Sequence, residues 1–308
     1  MIVMKGLALV GLLLNLVLLW TKTKKLKATT EKDDVFGLTG QEIWDQQKQP
    51  RRAISNAIIG LVANFFDTLG IGSFAPSSSA FKFAKSVDDI NIPGTLNVGD
   101  TVPVCIEAFL FFGFVEMDIL TLALMLIAAV AGSILGAGVV SNFDRKKVRY
   151  AMFVGLFILG IVMLCKAIGV GPFGLIGTAT KLRGAKLIIA IVANFIFGAL
   201  MCIGVGLYAP CMAMCALLGL NVGCAFPAMM GSCAYLMAFG NGPKFIQEGR
   251  FDYHATWMQA IFGAIGVFIA YYVVKSLDLQ TLTYVVVAVC EVTAFLFLKD
   301  AIKKGSEA

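Results

Sequence analysis

Gly70-Ile71-Gly72-Ser73-Phe74-Ala75-Pro76 recurs as Gly204-Val205-Gly206-Leu207-Tyr208-Ala209-Pro210, and Asn97-Val98-Gly99-Asp100-Thr101-Val102-Pro103 recurs as Asn221-Val222-Gly223-Cys224-Ala225-Phe226-Pro227. Both pairs lie inside apolar sequence, where glycine and proline interrupt a helix. A broken helix is tolerated in a bilayer only where its freed backbone groups face a cavity or a solute, so a duplicated break points to a central binding site.

Working outward, the chain has 308 residues, 59% of them hydrophobic and 14% charged, with a single histidine, and its mean hydropathy is +0.86. Apolar stretches near the ~20 residues a crossing needs recur along almost the whole length. This composition describes an all-α integral membrane protein, multi-pass, whose first partner is the lipid bilayer. The formal net charge of +6 is a topology signal, with no nucleic-acid surface implied. Basic residues cluster at Lys22 to Arg52, at Arg145 to Arg149 and at Lys299 to Lys304, and those loops are expected in the cytoplasm. Residues 1–20 read as a retained N-terminal helix and 21–52 as a basic cytoplasmic loop. A first transmembrane repeat then covers 53–170, a connecting loop 171–185, a second repeat 186–298 and a cytoplasmic tail 299–308.

Each repeat divides into five segments. In the first they are Ala53 to Ala75, a short piece from Pro76, Val98 to Gly113, Ile119 to Ser141 and Val148 to Val170. In the second they are Lys186 to Ala209, Pro210 to Leu220, Val222 to Gly240, His254 to Ser276 and Leu279 to Leu298. Pro76 and Pro210, Gly132 and Gly266, and Asp144 and Asp278 are each 134 apart, whereas Asn97 and Asn221 are 124 apart. Ten residues are therefore inserted before the third segment of one copy and after that of the other, and loops are the expected place for both. If the short piece counts as a crossing, each copy has five, an odd number, and the copies are inverted, for eleven membrane segments in all; a re-entrant short piece gives four and puts the basic Arg145 to Arg149 loop outside, a worse fit. Loop charge agrees, putting the acidic turn Val115-Glu116-Met117-Asp118 outside and Lys244 and Arg250 inside. Lys181, Arg183 and Lys186 are the exception, since they fall outside.

The prolines are expected to open new helix N-termini within the membrane, whose unpaired N–H groups and dipole attract an anion. Ser77, Ser78, Ser79 and Thr101 can add hydroxyl donors, with Cys211 and Cys224 at comparable starts in the second copy. The serines serve equally well as helix caps. Asp67, Lys82, Asp100 and Glu107 align with Met201, Ala216, Cys224 and Gly231, so these ionisable groups belong to the first copy alone. An intramembrane acid is costly unless it faces a cavity, a partner or a proton, which makes Asp67 and Glu107 candidates for proton coupling. The structural alternative pairs one of them with Lys82, and Asp100 reads as a cap. Lys166, Lys275 and Glu291 are expected to snorkel from segment ends, and His254 to sit at the interface. Gly132, Gly136, Gly138, Gly263 and Gly266 look like close helix contacts. The eight cysteines show no CxxC or Cys/His spacing, so no disulfide, metal or cofactor is expected.

The order of these features, twice over, resembles the TauE/SafE-type sulfite exporter family, also called the toluene sulfonate uptake permease family. The likeness rests on the two glycine-rich breaks each followed by Ala-Pro, on the polar starts of the third segments, and on Ala131-Gly132-Ser133-Ile134-Leu135-Gly136-Ala137-Gly138 followed by Phe143-Asp144-Arg145-Lys146-Lys147. It implies secondary transport of a small sulfur-containing or other organic anion, coupled to protons or another ion. Ser73, the polar short helix and the three acids depart from the family pattern. They leave open a carrier of a cationic or zwitterionic solute with Asp67 or Glu107 as counter-charge. An intramembrane enzyme built on Cys211, Cys215 and Cys224 lacks the polar catalytic set such chemistry needs, and the chain is not read as an enzyme.

Overall fold

The computed structural model describes residues 2–34, 36–113, 116–171, 177–273 and 279–303. Val115, Lys275, Ser276, Asp278 and Lys304, with 172–176 of the connecting loop, lie outside the described residues. Fourteen α-helices and no named strand occur among them. Five helical runs are long and apolar enough to cross a membrane: Ile2–Ala28, Ile119–Val140, Arg145–Ile168, Gly223–Glu248 and Tyr253–Tyr272. Large apolar side chains such as Leu13, Val17, Ile127, Leu135, Ile188 and Val192 point outward, an apolar surface that suits lipid.

Helix α1 (Ile2–Ala28) is followed by the amphipathic α2 (Gly40–Gln47), which Thr39 and Glu42 start with a reciprocal capping box. The first set then comprises α3 (Pro50–Thr68), α4 (Phe74–Ala84), a 3₁₀ turn (Asp89–Asn91), α5 (Ile92–Gly99), α6 (Thr101–Phe111), α7 (Ile119–Val140) and α8 (Arg145–Ile168). The second comprises α9 (Ala185–Met201), α10 (Tyr208–Leu217), α11 (Val222–Tyr235), a π turn (Leu236–Gly240), α12 (Asn241–Glu248), α13 (Tyr253–Val273) and α14 (Leu279–Lys303).

Helix starts repeat at the spacing of the sequence: Phe74 and Tyr208, and Ile119 and Tyr253, are each 134 apart. Backbone conformation repeats as well. Gly70 and Gly204 have φ of +86° and +91°, and Lys85 and Gly219 have +51° and +80°. The reversals after α3 and α9 need the left-handed region, which glycine enters without a Cβ penalty. The main helix pairs exchange partners between sets, α3 along α13 and α9 along α7, while α8 lies along α14. Small residues permit this. A Cβ on Gly132 would stand 1.8 Å from the Phe195 carbonyl oxygen and one on Gly266 2.2 Å from that of Leu61, whereas Gly138 faces open space and makes no close contact.

The ends of the bundle are defined by ion pairs and hydrogen bonds. At one, the Arg52 end, Arg52 pairs with Asp252, Arg145 with Asp88 and Arg149 with Asp89, and Lys22 donates to the Gln247 carbonyl. At the other, Arg183 grips Asp118 through both oxygens, at 2.8 and 2.9 Å. Those hydrogen bonds hold the Asp118 carboxyl well below the usual carboxylate range. The exceptional basic loop is thereby partly neutralised, and Lys186 is spent on the Leu218 carbonyl at the C-terminus of α10.

Several expectations change. The short helices start at Phe74 and Tyr208, two residues before the prolines. At 11 and 10 residues and 1.5 Å per residue, each is about 15 Å long, half the hydrocarbon thickness. Arg52 Nε donates to the Ser86 carbonyl at 2.8 Å, so α3 and α4 form a hairpin whose open ends meet at the Arg52 end. Lys186 closes α9 and α10 into the matching hairpin at the Asp118 end. The register insertions are helical rather than loops: one extends the third segment as α5, the other as α12 beyond Gly240. The two pack together so closely that Gly94 has the Arg250 carbonyl against it.

Candidate functional site

The two hairpin tips meet. Ile71 to Ala75 from the first and Gly206 to Ala209 from the second line a cavity of about 20 Å³ together with Asp67, Val104, Met201 and Cys233, room for one water-sized occupant. The helix starts contribute backbone donors. The first intrahelical-type acceptor bonds are Ser77 N–H to Ser73 and Cys211 N–H to Leu207, which leaves the amides of Phe74, Ala75, Tyr208 and Ala209 without a helical partner. Pro76 and Pro210 have no N–H. Four cavity-lining residues therefore carry free donors at the positive ends of two helix dipoles.

Against them stand three carboxyls, all fully buried. Asn64 Nδ2 donates to Asp100 Oδ1 at 3.1 Å and Ser73 Oγ to Asp100 Oδ2 at 3.0 Å. Asp100 makes no side-chain cap bond, so its expected capping role is replaced by these two contacts. Ser73 also faces Asp67, whose Oδ2 has no partner. Glu107 ties the two sets of helices: Tyr208 donates its hydroxyl to Oε2 at 2.6 Å, and Thr68 Oγ1 lies 2.7 Å from Oε1.

Thr68 Oγ1 is also 2.9 Å from the Asn64 carbonyl. A hydroxyl has one proton and a carbonyl only accepts. Either the one Thr68 proton bridges both acceptors in a three-centre bond or, with a second proton on Glu107, each contact has a hydrogen of its own. In the second arrangement Glu107 is a neutral acid and completes a chain: Tyr208 to Oε2, Oε1–H to Thr68, Thr68 to the carbonyl of Asn64.

Of the predicted site residues, Asp67 lines the cavity and Glu107 adjoins it. Ser77 Oγ accepts from Gln259 at 3.5 Å, Ser78 and Ser79 are buried without partners, and Thr101 bonds back to the Asn97 carbonyl. None of the three serines is the cap of α4, which is Ser73. Cys211 is buried in α10, and Cys224 Sγ contacts the Glu116 carbonyl toward the Asp118 end. Lys82 pairs with neither Asp67 nor Glu107; it joins Asp89 and Asp300 at 2.8 and 2.7 Å. Lys166 does not simply snorkel: its ammonium donates to the Gly70 carbonyl at 2.7 Å, on the first hairpin tip. His254 is buried at the Arg52 end, its ring edge-on to Trp44.

Asn64, Thr68, Ser73, Tyr208 and Lys166 were not singled out for this site in the sequence. Tyr208 could have been, because it stands where the first copy has Phe74 and adds a hydroxyl at the break. No family model, curated protein or solved structure matches this chain.

Proposed function

We propose that this chain is a secondary carrier of the cell membrane, of TauE/SafE type, that moves a small sulfur-containing or organic anion with protons by alternating access between two inverted sets of helices. The observation that carries the reading is the meeting of two helical hairpins, tied at opposite ends of the bundle, at a cavity with four free backbone donors and a carboxyl. Inversion is supported by helix direction: α3 begins at Arg52 and its counterpart α9 near Arg183, and the ion pairs put these at opposite ends.

An anion beside Asp67 and Glu107 requires those acids to be neutral, so entry of the anion and of a proton are linked. Lys166, anchored on the first tip, adds a positive charge to the approach. The three carboxyls also favour a second reading, a carrier of a cation or zwitterion that displaces the protons. Uptake of sulfite and simple sulfonates into proteoliposomes under an imposed pH gradient tests the first, with a panel of amines as competitors. Inhibition by amines alone would reject the anion.

A further inference from the structure

Between the Arg52 end and the acids runs a seam of buried polar side chains. Asn56, Ser78, Ser79, Thr256 and Gln259 are each fully buried, and both side-chain polar atoms of Asn56, the hydroxyls of the other three and Gln259 Oε1 lack a protein partner.

Register aligns them. Arg52 meets Asp252 at 3.3 Å; a Cβ on Gly60 would stand 2.8 Å from Gln259 Cα, and one on Gly263 2.7 Å from Asn64 Nδ2. Helices α3 and α13 therefore run parallel, with Asn56 at the level of Thr256. Ser77 meets Gln259 from α4. Helix α5 follows the same course, since the Asp252 amide donates to Thr95 at 2.9 Å and Gly99 lies against Gln259. The next level is Asp100 with Asn64 and Ser73. From Arg52 to Asp67 the seam covers four turns of α3, about 22 Å.

The other set has no such seam. At the 134-residue register Asn56, Ser78, Ser79, Thr256 and Gln259 correspond to Ala190, Met212, Ala213, Leu122 and Met125. At these positions that interface is apolar; its buried Asn194 donates to the Met125 carbonyl and the Ser232 hydroxyl and leaves one oxygen unpaired, against six unpaired atoms along the seam.

Unpaired buried polar groups make an interface costly to keep dry and cheap to hydrate. We infer that the seam between α3, α4, α5 and α13 is the aqueous path by which water, and the proton it carries, reaches Asp100 and the cavity from the Arg52 end when these helices part. Its purpose rests on the carrier reading, but its test does not.

The full-length chain in proteoliposomes is treated with a membrane-impermeant cationic methanethiosulfonate, without any solute, and labelled sites are assigned by peptide mass spectrometry. Ser79→Cys and Thr256→Cys are compared with Ala213→Cys and Leu122→Cys, their counterparts. The seam positions should label at least about tenfold faster, because that interface opens to water. Equal rates would overturn the path, whatever sulfite uptake shows. A second measurement needs no cysteine: the double variant S79A/T256V removes two unpaired hydroxyls and should melt at an equal or higher temperature. A lower one would mean that the hydroxyls are paired in the closed state, and would equally overturn the inference.

Discussion

Glu107→Gln tests the neutral form of Glu107. An amide reproduces the hydrogen-bonding pattern of the neutral acid: its oxygen accepts from Tyr208, 2.6 Å from Oε2 in the native site. Its N–H donates to Thr68, 2.7 Å from Oε1. Thr68 then keeps its bond to the Asn64 carbonyl, so the buried chain stays satisfied and the variant should lie within about 1 kcal/mol of the native protein. Glu107→Ala deletes both partners. It strands the Tyr208 hydroxyl and removes the donor to Thr68, at about 1–3 kcal/mol each, and opens a cavity as well. Denaturation in detergent should therefore order the three proteins native, Gln, Ala, with most of the loss at the last step. The amide cannot release a proton, so flux driven by a pH gradient should fall to background in Glu107→Gln while the fold persists. Infrared difference spectra read the proton directly: native minus Gln should contain the C=O band of a carboxylic acid. Carboxylate bands alone would refute the second proton, and full flux with an unchanged pH profile would remove Glu107 from coupling.

Four further outcomes are expected. Gly132→Ala puts a methyl where only 1.8 Å separates the Cβ position from the Phe195 carbonyl oxygen, so α7 and α9 must part at a cost of about 1–3 kcal/mol. Gly138→Ala, facing open space on the same helix, should leave the melting temperature equal or raise it, gaining up to about 1 kcal/mol. Asp118→Asn removes the carboxylate that Arg183 grips. Because the native pKa is depressed, the pair stabilises above the ordinary carboxylate range and is lost only as pH falls through the depressed value. Limited proteolysis of the 177–183 loop should thus accelerate for the variant at neutral pH and converge with the native protein only in strong acid. Lys166→Met removes the cation on the first hairpin tip and should raise the KM for sulfite more than it lowers the maximal rate; an unchanged KM would place Lys166 in packing alone.

The duplicated stretches made much of this molecule legible. Periodic apolar segments and the 134-residue register place segment starts at Ile119 and His254, at and one residue from the helix starts Ile119 and Tyr253, because these depend on local burial; the left-handed turns at Gly70 and Gly204 come from the structure. Of the acids confined to the first copy, Asp67 lines the cavity and Glu107 bonds to the lining residue Tyr208. Boundaries were less visible: the short helices begin before their prolines, since an imino group is as well tolerated in the third position of a helix as at its start. The insertions read as loops in the sequence, because nothing local shows that α5 and α12 cover each other.

What the sequence by itself determined is the apolar bundle, its internal repetition and the chemical difference between the copies, all properties of residue type and spacing along one chain. Only the tertiary structure decided which partners those residues take. It sent Lys82 to Asp89 and Asp300, turned Lys166 inward to Gly70, and brought Tyr208 from the second copy to Glu107 of the first. The physical reason is that a buried polar group must find its complement wherever packing brings one within about 3 Å, and helices far apart in the chain meet at distances that spacing along it does not encode.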